Sequence, residues 1–385
     1  FAMSEFFNNK TILLISPEKW GGMHISKHHY AIELTGYCKK VFFLNPAVPN
    51  LKTAFLIEQH KEYENLFIVS CRSFFSQKLR FKFRFLFDVL MKFQVKKLLK
   101  SINEPIDVVW CFNRYTYANL NWFNAETHIY HPVDQVSSYQ QVEVGNTATI
   151  ILTVSDLILE KFIDIDVPKY IINHGLSHYF SEFCDANETK QFDNSRKLKV
   201  GYIGNLLKPS LDRASFKQIV ENNQQVEFYM WGPTEVSNSN LGGDDSRESQ
   251  DCINFLKDAQ NVILEGVKSP KELAASIQNI DAFLLCFDME KNPNRGSNSH
   301  KIMEYLSTGK VIISQVVSMY KDDGDLIAMT DKQTSIVELF GEVISNLEFY
   351  NREEIQMRRK EFAMNNTYKK QIQRIAKILS LELNL

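Results

Sequence analysis

Lys301 and Glu304 have the residue types and the spacing expected of a nucleotide site. A lysine ammonium donates hydrogen bonds to phosphate, and a carboxylate accepts the two hydroxyl protons of a ribose. Residues three apart lie on one face of a helix, so both groups would meet the same ligand. The pattern predicts a phosphate beside Lys301 and a ribose beside Glu304. An ordinary exposed ion pair, which stabilises a helix by roughly a few tenths of a kcal/mol, is the alternative.

The segment 292–317 supplies the elements that must position this pair. Asn298 or Ser299 is a suitable N-cap for a helix over HKIMEYLST, and Gly309 is suited to end that helix in the left-handed conformation. The apolar run VIISQVV then predicts a buried strand. Free backbone N–H groups at the helix start attract anions, so we include Ser299 and His300 in the predicted phosphate site.

Composition sets the broad class of the protein. The chain has 385 residues, a length that predicts two domains of about 150–200 residues each. Apolar residues make up 44% and charged residues 23%, with a net charge of -2, which is typical of a soluble globular protein and does not favour nucleic-acid binding. Six scattered cysteines without a CxxC pair favour a reducing compartment. There is no run long enough to span a membrane and no signal-peptide core, so we expect a cytoplasmic protein.

Both halves of the chain open with the same plan. TILLIS (11–16) predicts a buried strand before the Gly21-Gly22 turn and a helix. KVGYIG repeats this arrangement, with a strand at 200–203, a Gly204-Asn205 turn and a helix from about Leu211. The pattern predicts two Rossmann-like α/β domains. Neither turn carries G-x-G-x-x-G, which disfavours a nicotinamide-dependent dehydrogenase.

Asp134 follows a predicted strand in THIYHPVDQ (127–135). The carboxyl ends of strands are where α/β sheets place their chemistry, so Asp134 is a candidate general base that would deprotonate an acceptor hydroxyl. An N-cap of the following segment is the alternative role.

The segment 72–100 combines basic and aromatic residues. It carries nine Lys or Arg residues against one acid, Asp88, and seven Phe residues are interleaved with them. Such a mixture is typical of a helix that rests on an anionic membrane. A core helix with a solvated basic face is equally compatible with the pattern, and nucleic-acid binding is a weaker third interpretation.

Three segments resemble bacterial glycosyltransferases of the GT-B fold. KIMEYLSTGKVII is similar to their K-x-x-E-Y-x-x-x-G-K-P-V-V segment, in which the Lys lies near the donor diphosphate and the Glu near the ribose. WGGMHISKHHYA resembles the first loop and helix of teichuronic-acid-type glycosyltransferases. YHPVDQVSS resembles the segment with the proposed catalytic Asp of the xanthan glucuronosyltransferase, an inverting, membrane-associated enzyme. The resemblance implies an α/β fold of two Rossmann-like domains that face each other across a cleft, with a C-terminal helix crossing back to the first domain.

The resemblance also implies roles for individual residues. Asp134 would be catalytic. Lys301 and Glu304 would bind the nucleotide sugar together with the following residues: Gly22, Gly204, Asn205, Lys208, Gly266, Val267, Arg295, Ser299 and His300. Gly266 and Val267 would lie beside the base, and Lys208 and Arg295 would reach the phosphates. Many retaining members have a Glu where this chain has Gly296, a difference that favours inversion.

These observations predict three segments: a first domain over 4–170, a nucleotide-sugar-binding domain over 171–350, and a helical segment over 351–385 that packs on the first domain. The predicted function is transfer of a sugar from a nucleoside diphosphate sugar to a lipid-linked or saccharide acceptor, without a metal or other cofactor. Anionic membrane would be contacted through 72–100. A non-catalytic membrane-surface scaffold, or a sugar-nucleotide epimerase or phosphorylase of the same fold, remains an alternative.

Overall fold

The structure is a computed structural model that describes residues 5–114, 116–134, 138–185, 188–193, 195–290, 298–331 and 333–384. The chain forms two compact units. The first unit comprises Phe1–Trp20, Ile25–Asn173 and Gln371–Leu385, and the second comprises Gly21–His24 and His174–Lys370. Each unit therefore takes in at least one segment that is distant in sequence from the rest of it.

The first unit is built on an eight-stranded sheet. Its strands are β1 (Thr11–Ile15), β2 (Lys40–Leu44), β3 (Phe55–Gln59), β4 (Leu66–Cys71), β5 (Val108–Cys111), β6 (Thr127–Tyr130), β7 (Ile150–Thr153) and β8 (Lys169–Ile171). The spatial order is β3-β4-β2-β1-β5-β6-β7-β8, and all pairs are parallel except β3 with β4. The central strands are fully buried, which explains their continuous apolar sequences.

The helices of the first unit are α1 (Ser26–Leu34), α2 (Leu79–Lys82), α3 (Arg84–Ile102), α4 (Tyr139–Val144) and α5 (Asp156–Leu159). Ser155 caps α5, because its side chain accepts a hydrogen bond from the backbone N–H of Ile158. His28 lies in α1, where its ring stacks on Phe43 and accepts a hydrogen bond from the backbone N–H of Ile25. His28 is fully buried, and these contacts give it a structural role.

The second unit is built on a six-stranded parallel sheet. Its strands are β9 (Leu198–Ile203), β10 (Val226–Trp231), β11 (Val262–Gly266), β12 (Ala282–Leu285), β13 (Val311–Ser314) and β14 (Ala328–Met329). The spatial order is β11-β10-β9-β12-β13-β14. In this order the chain first moves outward from β9 and then returns to its other side, which is the doubly wound Rossmann arrangement.

The helices of the second unit are α6 (His178–Ser181), α7 (Arg213–Asn222), α8 (Arg247–Asp258), α9 (Pro270–Ser276), α10 (Lys301–Leu306), α11 (Ile336–Ser345), α12 (Leu347–Tyr350) and α13 (Glu353–Asn365). They cover both faces of the sheet. Leu284 of β12 packs in a cluster with Phe340 of α11, whereas its neighbour Phe283 packs in a second cluster with Tyr305 of α10. Alternate strand residues thus enter opposite cores.

The C-terminal region divides between the two units. The last helix, α14 (Tyr368–Glu382), continues into the first unit from Gln371 onward. α13 belongs to the second unit, whereas the sequence predicts that all of 351–385 packs on the first domain. The reason is the buried side chain of Arg359, which donates hydrogen bonds to the carbonyl oxygens of Gly309 and Leu326 in the second unit. Burial lowers the pKa of Arg359 to about 9.

Candidate functional site

The polar residues of the second unit gather where the strand order of its sheet reverses. β9 and β12 are neighbours at that point, and the connections that follow them run toward opposite sides of the sheet. A crevice at the carboxyl ends of two such strands is the general ligand site of open α/β sheets. Gly204 and Asn205 follow β9, and α10 is the first helix described after β12. The fold therefore places Lys301 and Glu304 on the helix beside this crevice.

Lys301 and Glu304 form a buried pair on α10. Lys301 Nζ lies 3.4 Å from Glu304 Oε2, and the two side chains are 13% and 6% exposed. Burial raises the pKa of Glu304, and the positive charge of Lys301 opposes that rise. The separation exceeds the about 2.7–2.9 Å of a strong charge-assisted hydrogen bond. A carboxylate in this setting has capacity to accept further hydrogen bonds from a ligand. The pair is not the exposed surface pair of the alternative interpretation.

Tyr305 fixes α10 on the end of β9. Its hydroxyl accepts a hydrogen bond from the backbone N–H of Ile203 at 2.8 Å and lies 3.3 Å from the carbonyl oxygen of the same residue. Its ring stacks on Phe283 with 4.3 Å between the ring centroids. Because Tyr305 directly follows Glu304, this anchoring also fixes the position of the carboxylate. In the sequence, Tyr305 is part of the segment KIMEYLSTGKVII, and no separate role is predicted for it.

The start of α10 differs in detail from the prediction. The N-cap position is occupied by His300, whose side chain makes no capping bond, and the helix begins at Lys301. The Ser299 hydroxyl accepts a hydrogen bond of 3.4 Å from the backbone N–H of Lys301. The His300 ring lies against His174, with 6.0 Å between centroids. His174 was not predicted as a site residue.

The turns after β9, β10 and β11 are tied together through backbone groups. Gly204 N–H donates to the carbonyl oxygen of Trp231, and Gly232 N–H donates to that of Gly266, each at 2.9 Å. A Cβ at Gly232 would lie 1.8 Å from the carbonyl oxygen of Gly204, so only glycine permits this close approach. Gly266 has a φ of +71° and open space around it. The carboxyl edge of the sheet therefore presents a surface of small residues and backbone groups.

Asn205 and Lys208 differ in accessibility. The Asn205 side chain is buried; its Oδ1 accepts a hydrogen bond from Leu207 N–H at 3.0 Å, and its Nδ2 donates to the carbonyl oxygen of Gly242 at 2.7 Å. These bonds use the amide to organise the neighbouring loop, and the backbone carbonyl oxygen of Asn205 accepts a hydrogen bond from Lys208 N–H at 3.1 Å. Lys208 is exposed.

Gly22 and Val267 are brought together in the second unit. A Cβ at Gly22 would lie 3.8 Å from Val267 Cγ1. Met23, the next residue, is held by the side chain of Asn240 through two hydrogen bonds. Asn240 belongs to a stretch rich in Ser, Asn, Gly and Asp that leads into α8. Arg295 and Gly296 lie outside the described residues.

Asp134 lies in the first unit, after β6, at the carboxyl edge predicted for it. Its side chain is 57% exposed, and its Oδ2 lies 3.9 Å from Arg114 Nη2. Arg114 follows β5, the strand beside β6 in the sheet, and was not predicted. Arg114 could have been predicted in the same way as Asp134, because each residue follows the carboxyl end of one of two neighbouring parallel strands. His131, in the same turn, is buried and accepts a hydrogen bond of 3.2 Å from Trp110 Nε1.

The basic aromatic segment 72–100 has one buried and one exposed face. Buried α3 side chains recur at helical spacing: Phe87, Met91, Gln94, Val95, Leu98 and Ile102. This part of the pattern is that of a core helix. Other aromatic side chains point to solvent: Phe74, Phe81, Phe83, Phe85 and Phe93 are between 51% and 84% exposed. Exposed lysines stand among them, and Arg84 pairs with Asp88 at 2.9 Å. Among the described residues, no helix is both long enough and apolar enough to cross a bilayer.

Comparison with solved structures settles the fold. A trehalose-phosphate synthase from Burkholderia xenovorans matches with a TM-score of 0.66 over 97% of this chain and 100% of its own, at 11% identity. HepE from Anabaena, solved with UDP and glucose, matches with a TM-score of 0.64 over 97% and 100% of the two chains, at 16% identity. The chain has the GT-B fold. The lipopolysaccharide outer core galactosyltransferase WaaB also shares the GT-B fold, with a TM-score of 0.61 over 96% and 99% of the two chains, at 15% identity.

No protein-family model matches the chain, and no curated protein matches it. The predicted GT-B fold is thus confirmed by structure alone. The closer resemblance to teichuronic-acid-type enzymes and to the xanthan glucuronosyltransferase stays a prediction.

Proposed function

We propose that this protein is a glycosyltransferase that moves a sugar from a nucleoside diphosphate sugar to a hydroxyl group of a lipid-linked or polysaccharide acceptor, in the synthesis of a bacterial surface glycan. The observation that carries the proposal is the buried Lys301–Glu304 pair beside the strand-order reversal of the second sheet. UDP is the first nucleotide to test, because structures of the same fold contain UDP or are named UDP-forming.

The two members of the pair have different roles in binding the donor. Glu304 accepts hydrogen bonds from the ribose hydroxyl groups, which offset the cost of keeping its carboxylate ionised inside the protein. Lys301 binds the diphosphate and stabilises the charge that develops as it leaves. Backbone groups of Gly204, Gly266 and Val267 border the nucleotide. No metal or other cofactor is part of this proposal.

Asp134 serves as the general base of an inverting reaction. Its carboxylate takes the proton of the acceptor hydroxyl while the hydroxyl oxygen forms a bond to the anomeric carbon. The bond from that carbon to the diphosphate breaks, and the nucleoside diphosphate leaves with the electron pair. The exposure of Asp134 supports this role, because a base must be reached by the acceptor.

The activity is tested by following nucleotide release from UDP-sugars with and without candidate acceptors. A glycosyltransferase releases UDP much faster when the acceptor is present, and it forms a product that contains the sugar. Release at the same rate without acceptor, or conversion of the donor without release, would indicate a different enzyme of the same fold. A protein that neither binds nor turns over UDP-, GDP- or dTDP-sugars would be a scaffold.

We further propose that residues 72–100 hold the protein on the inner face of the cytoplasmic membrane. The support is the mixture of exposed phenylalanine and lysine side chains, which suits shallow insertion into an anionic surface. Each engaged lysine contributes about 1 kcal/mol of attraction to anionic lipid. A membrane-bound position would give access to a lipid-linked acceptor.

Membrane binding is tested by co-sedimentation with vesicles. Replacing Lys78, Lys82, Lys92 and Lys96 by Ser should weaken binding to anionic vesicles and leave the weak binding to neutral vesicles unchanged. Raising the salt concentration should reproduce the effect. The matched control replaces four exposed lysines outside the segment, namely Lys257, Lys271, Lys321 and Lys369. Equal losses for the two variants, or no binding of the wild-type protein at low salt, would contradict a specific membrane surface.

A further inference from the structure

Asn240 makes a reciprocal contact with the backbone of Met23. Its side-chain Oδ1 accepts a hydrogen bond from Met23 N–H, and its Nδ2 donates one to the Met23 carbonyl oxygen, both at 3.1 Å. A side-chain amide is suited to such a contact, because it has a donor and an acceptor in one planar group. In sequence, Met23 lies 217 residues from Asn240, so the contact fixes a distant part of the chain.

Asn240 is itself held in place. The Asn205 amide donates to the carbonyl oxygen of Gly242 at 2.7 Å, and the Ser239 hydroxyl donates to the same oxygen at 2.6 Å. Ser239 also accepts a hydrogen bond from Leu241 N–H at 3.2 Å. The residues on both sides of Asn240 are thus connected to the turn that follows β9.

The contact determines where the Gly21-Gly22 turn lies. A Cβ at Gly21 would stand 2.5 Å from Asn240 Cβ, so the turn packs directly on the asparagine. One residue further, Gly22 lies close to Val267 in the turn after β11. The hydrogen bonds of Asn240 therefore hold the glycine turn beside Gly266 and Val267.

We propose that Asn240 is a positioning residue, which holds the Gly21-Gly22 turn over the base end of the bound nucleotide by fixing the backbone of Met23. This inference rests on the proposed function, because it assigns the base of the nucleotide to the turn after β11. Asn240 does not touch the ligand. It orders a turn before binding, so the ligand does not bear the entropic cost of ordering it.

The first test measures UDP affinity by calorimetry in the full chain. Asn240→Ala should weaken binding by about tenfold, as expected when two neutral hydrogen bonds that order a binding turn are lost. Asn238→Ala is the matched control, because Asn238 is exposed in the same loop. Its affinity should equal that of the wild type. In the transfer reaction, Asn240→Ala should raise the KM for the donor and leave kcat within about twofold, because the lost interaction contributes to binding alone.

Hydrogen exchange gives a readout independent of activity. Without nucleotide, the peptide that contains Met23 should exchange faster in Asn240→Ala than in the wild type, because its N–H has lost its acceptor. If Asn240→Ala does not fold, Asn240→Asp is the second variant for the affinity measurement. It keeps the acceptor for Met23 N–H but sets a carboxylate oxygen against the Met23 carbonyl oxygen, so affinity should again fall.

Gly21→Ala perturbs the same contact from the other side. The added methyl group would collide with Asn240, so UDP affinity should fall as it does in Asn240→Ala. The double variant should lose much less than the sum of the two single losses, because both substitutions disrupt one contact.

The outcomes separate this inference from the proposed function. If the wild-type protein binds no UDP, GDP or dTDP, the proposed function fails and the inference fails with it. If the wild type binds nucleotide and Asn240→Ala binds equally well, the positioning role alone is wrong. If Asn240→Ala shows faster exchange at Met23 but unchanged UDP affinity, the contact between Asn240 and Met23 has a structural role only, and the positioning role is again wrong.

Discussion

The two sheets share their strand order but differ in the polar groups at their carboxyl edges. When the antiparallel edge strand β3 is left out, the first sheet has the order β4-β2-β1-β5-β6-β7-β8, and the second has the order β11-β10-β9-β12-β13-β14. In each sheet the next two strands of the sequence lie on one side of the first strand, and the later strands lie on its other side. At the edge of the second sheet lies a buried carboxylate, Glu304, with a side chain 6% exposed. At the edge of the first sheet lies Asp134, with a side chain 57% exposed. One topology thus supports two different electrostatic environments.

The difference in burial suggests a division of labour. A buried carboxylate fixed by its neighbours is suited to bind a ligand in one geometry, because little reorganisation is needed when the ligand arrives. An exposed carboxylate such as Asp134 is accessible to an acceptor. We therefore assign donor binding to the second unit and proton transfer to the first.

Asp134→Asn should have the largest effect. The amide keeps the shape of the side chain and loses its basicity, so kcat should fall by about two orders of magnitude or more. Affinity for UDP should remain within a factor of about two, because the substitution lies in the other unit. Steady-state kinetics and calorimetry on the same preparation measure both quantities. A nearly normal kcat would make Asp134 a structural residue and remove the support for an inverting mechanism.

Glu304→Ala should affect binding. A buried ribose would lose two hydrogen bonds to a charged group, each worth roughly 1.5–3 kcal/mol before water compensates, so UDP affinity should fall more than tenfold. Glu361→Ala, at an exposed position on α13, is the control and should leave affinity unchanged. If a folded Glu304→Ala protein bound UDP normally in calorimetry, the ribose assignment would be wrong.

The pH dependence of binding should identify Glu304 as the titrating group. Burial raises its pKa above the ordinary value of 4.5, and ribose binding requires the ionised form. The affinity advantage of the wild type over Glu304→Gln should therefore shrink as the pH falls, beginning at a pH above 4.5. Comparing the two proteins cancels the titration of the nucleotide phosphates. A ratio that stays constant down to pH 4.5 would contradict the burial of an ionised carboxylate at the site.

Glu304→Gln should also change the stability of the protein. This effect should be smaller than the effect on UDP affinity, and it should be favourable, whereas the effect on affinity is unfavourable. Because folding raises the pKa of Glu304, its ionised form is less stable in the folded chain than in the unfolded chain. The free energy of unfolding should therefore decrease as the pH rises from below 4.5 through the raised pKa. Glu304→Gln removes this cost. Without nucleotide at neutral pH its free energy of unfolding should exceed that of the wild type, which a thermal unfolding experiment would report as a higher Tm.

Much of the fold was predictable because buried parallel strands have long apolar runs. TILLI and VIIS are apolar runs of this kind, and both are strands. β3 was missed. Its sequence, FLIEQ, is partly exposed at the antiparallel edge of the sheet, where apolar periodicity is weak. The boundary at α13 was also missed, because hydrogen bonds from Arg359 to distant carbonyl groups leave no local pattern.

The candidate site was predictable only where it is local in sequence. Lys301 and Glu304 are three residues apart, so their shared face follows from helical geometry. The Tyr305 anchor connects residues 102 positions apart, and the Asn240 contact connects residues 217 positions apart. Arg114 and Asp134 meet only because β5 and β6 are neighbours in the sheet. Each of these contacts depends on tertiary structure, which residue spacing does not encode.

Hydrogen exchange of the full chain with and without saturating UDP tests the division of labour most directly. We expect slower exchange in peptides that cover 204–208, 266–268 and 299–304, with no change in the peptide that contains Asp134. The same experiment with GDP and dTDP covers the other common donor bases. Protection confined to the first unit, or no protection with any of the three nucleotides, would contradict the assignment of donor binding to the second unit.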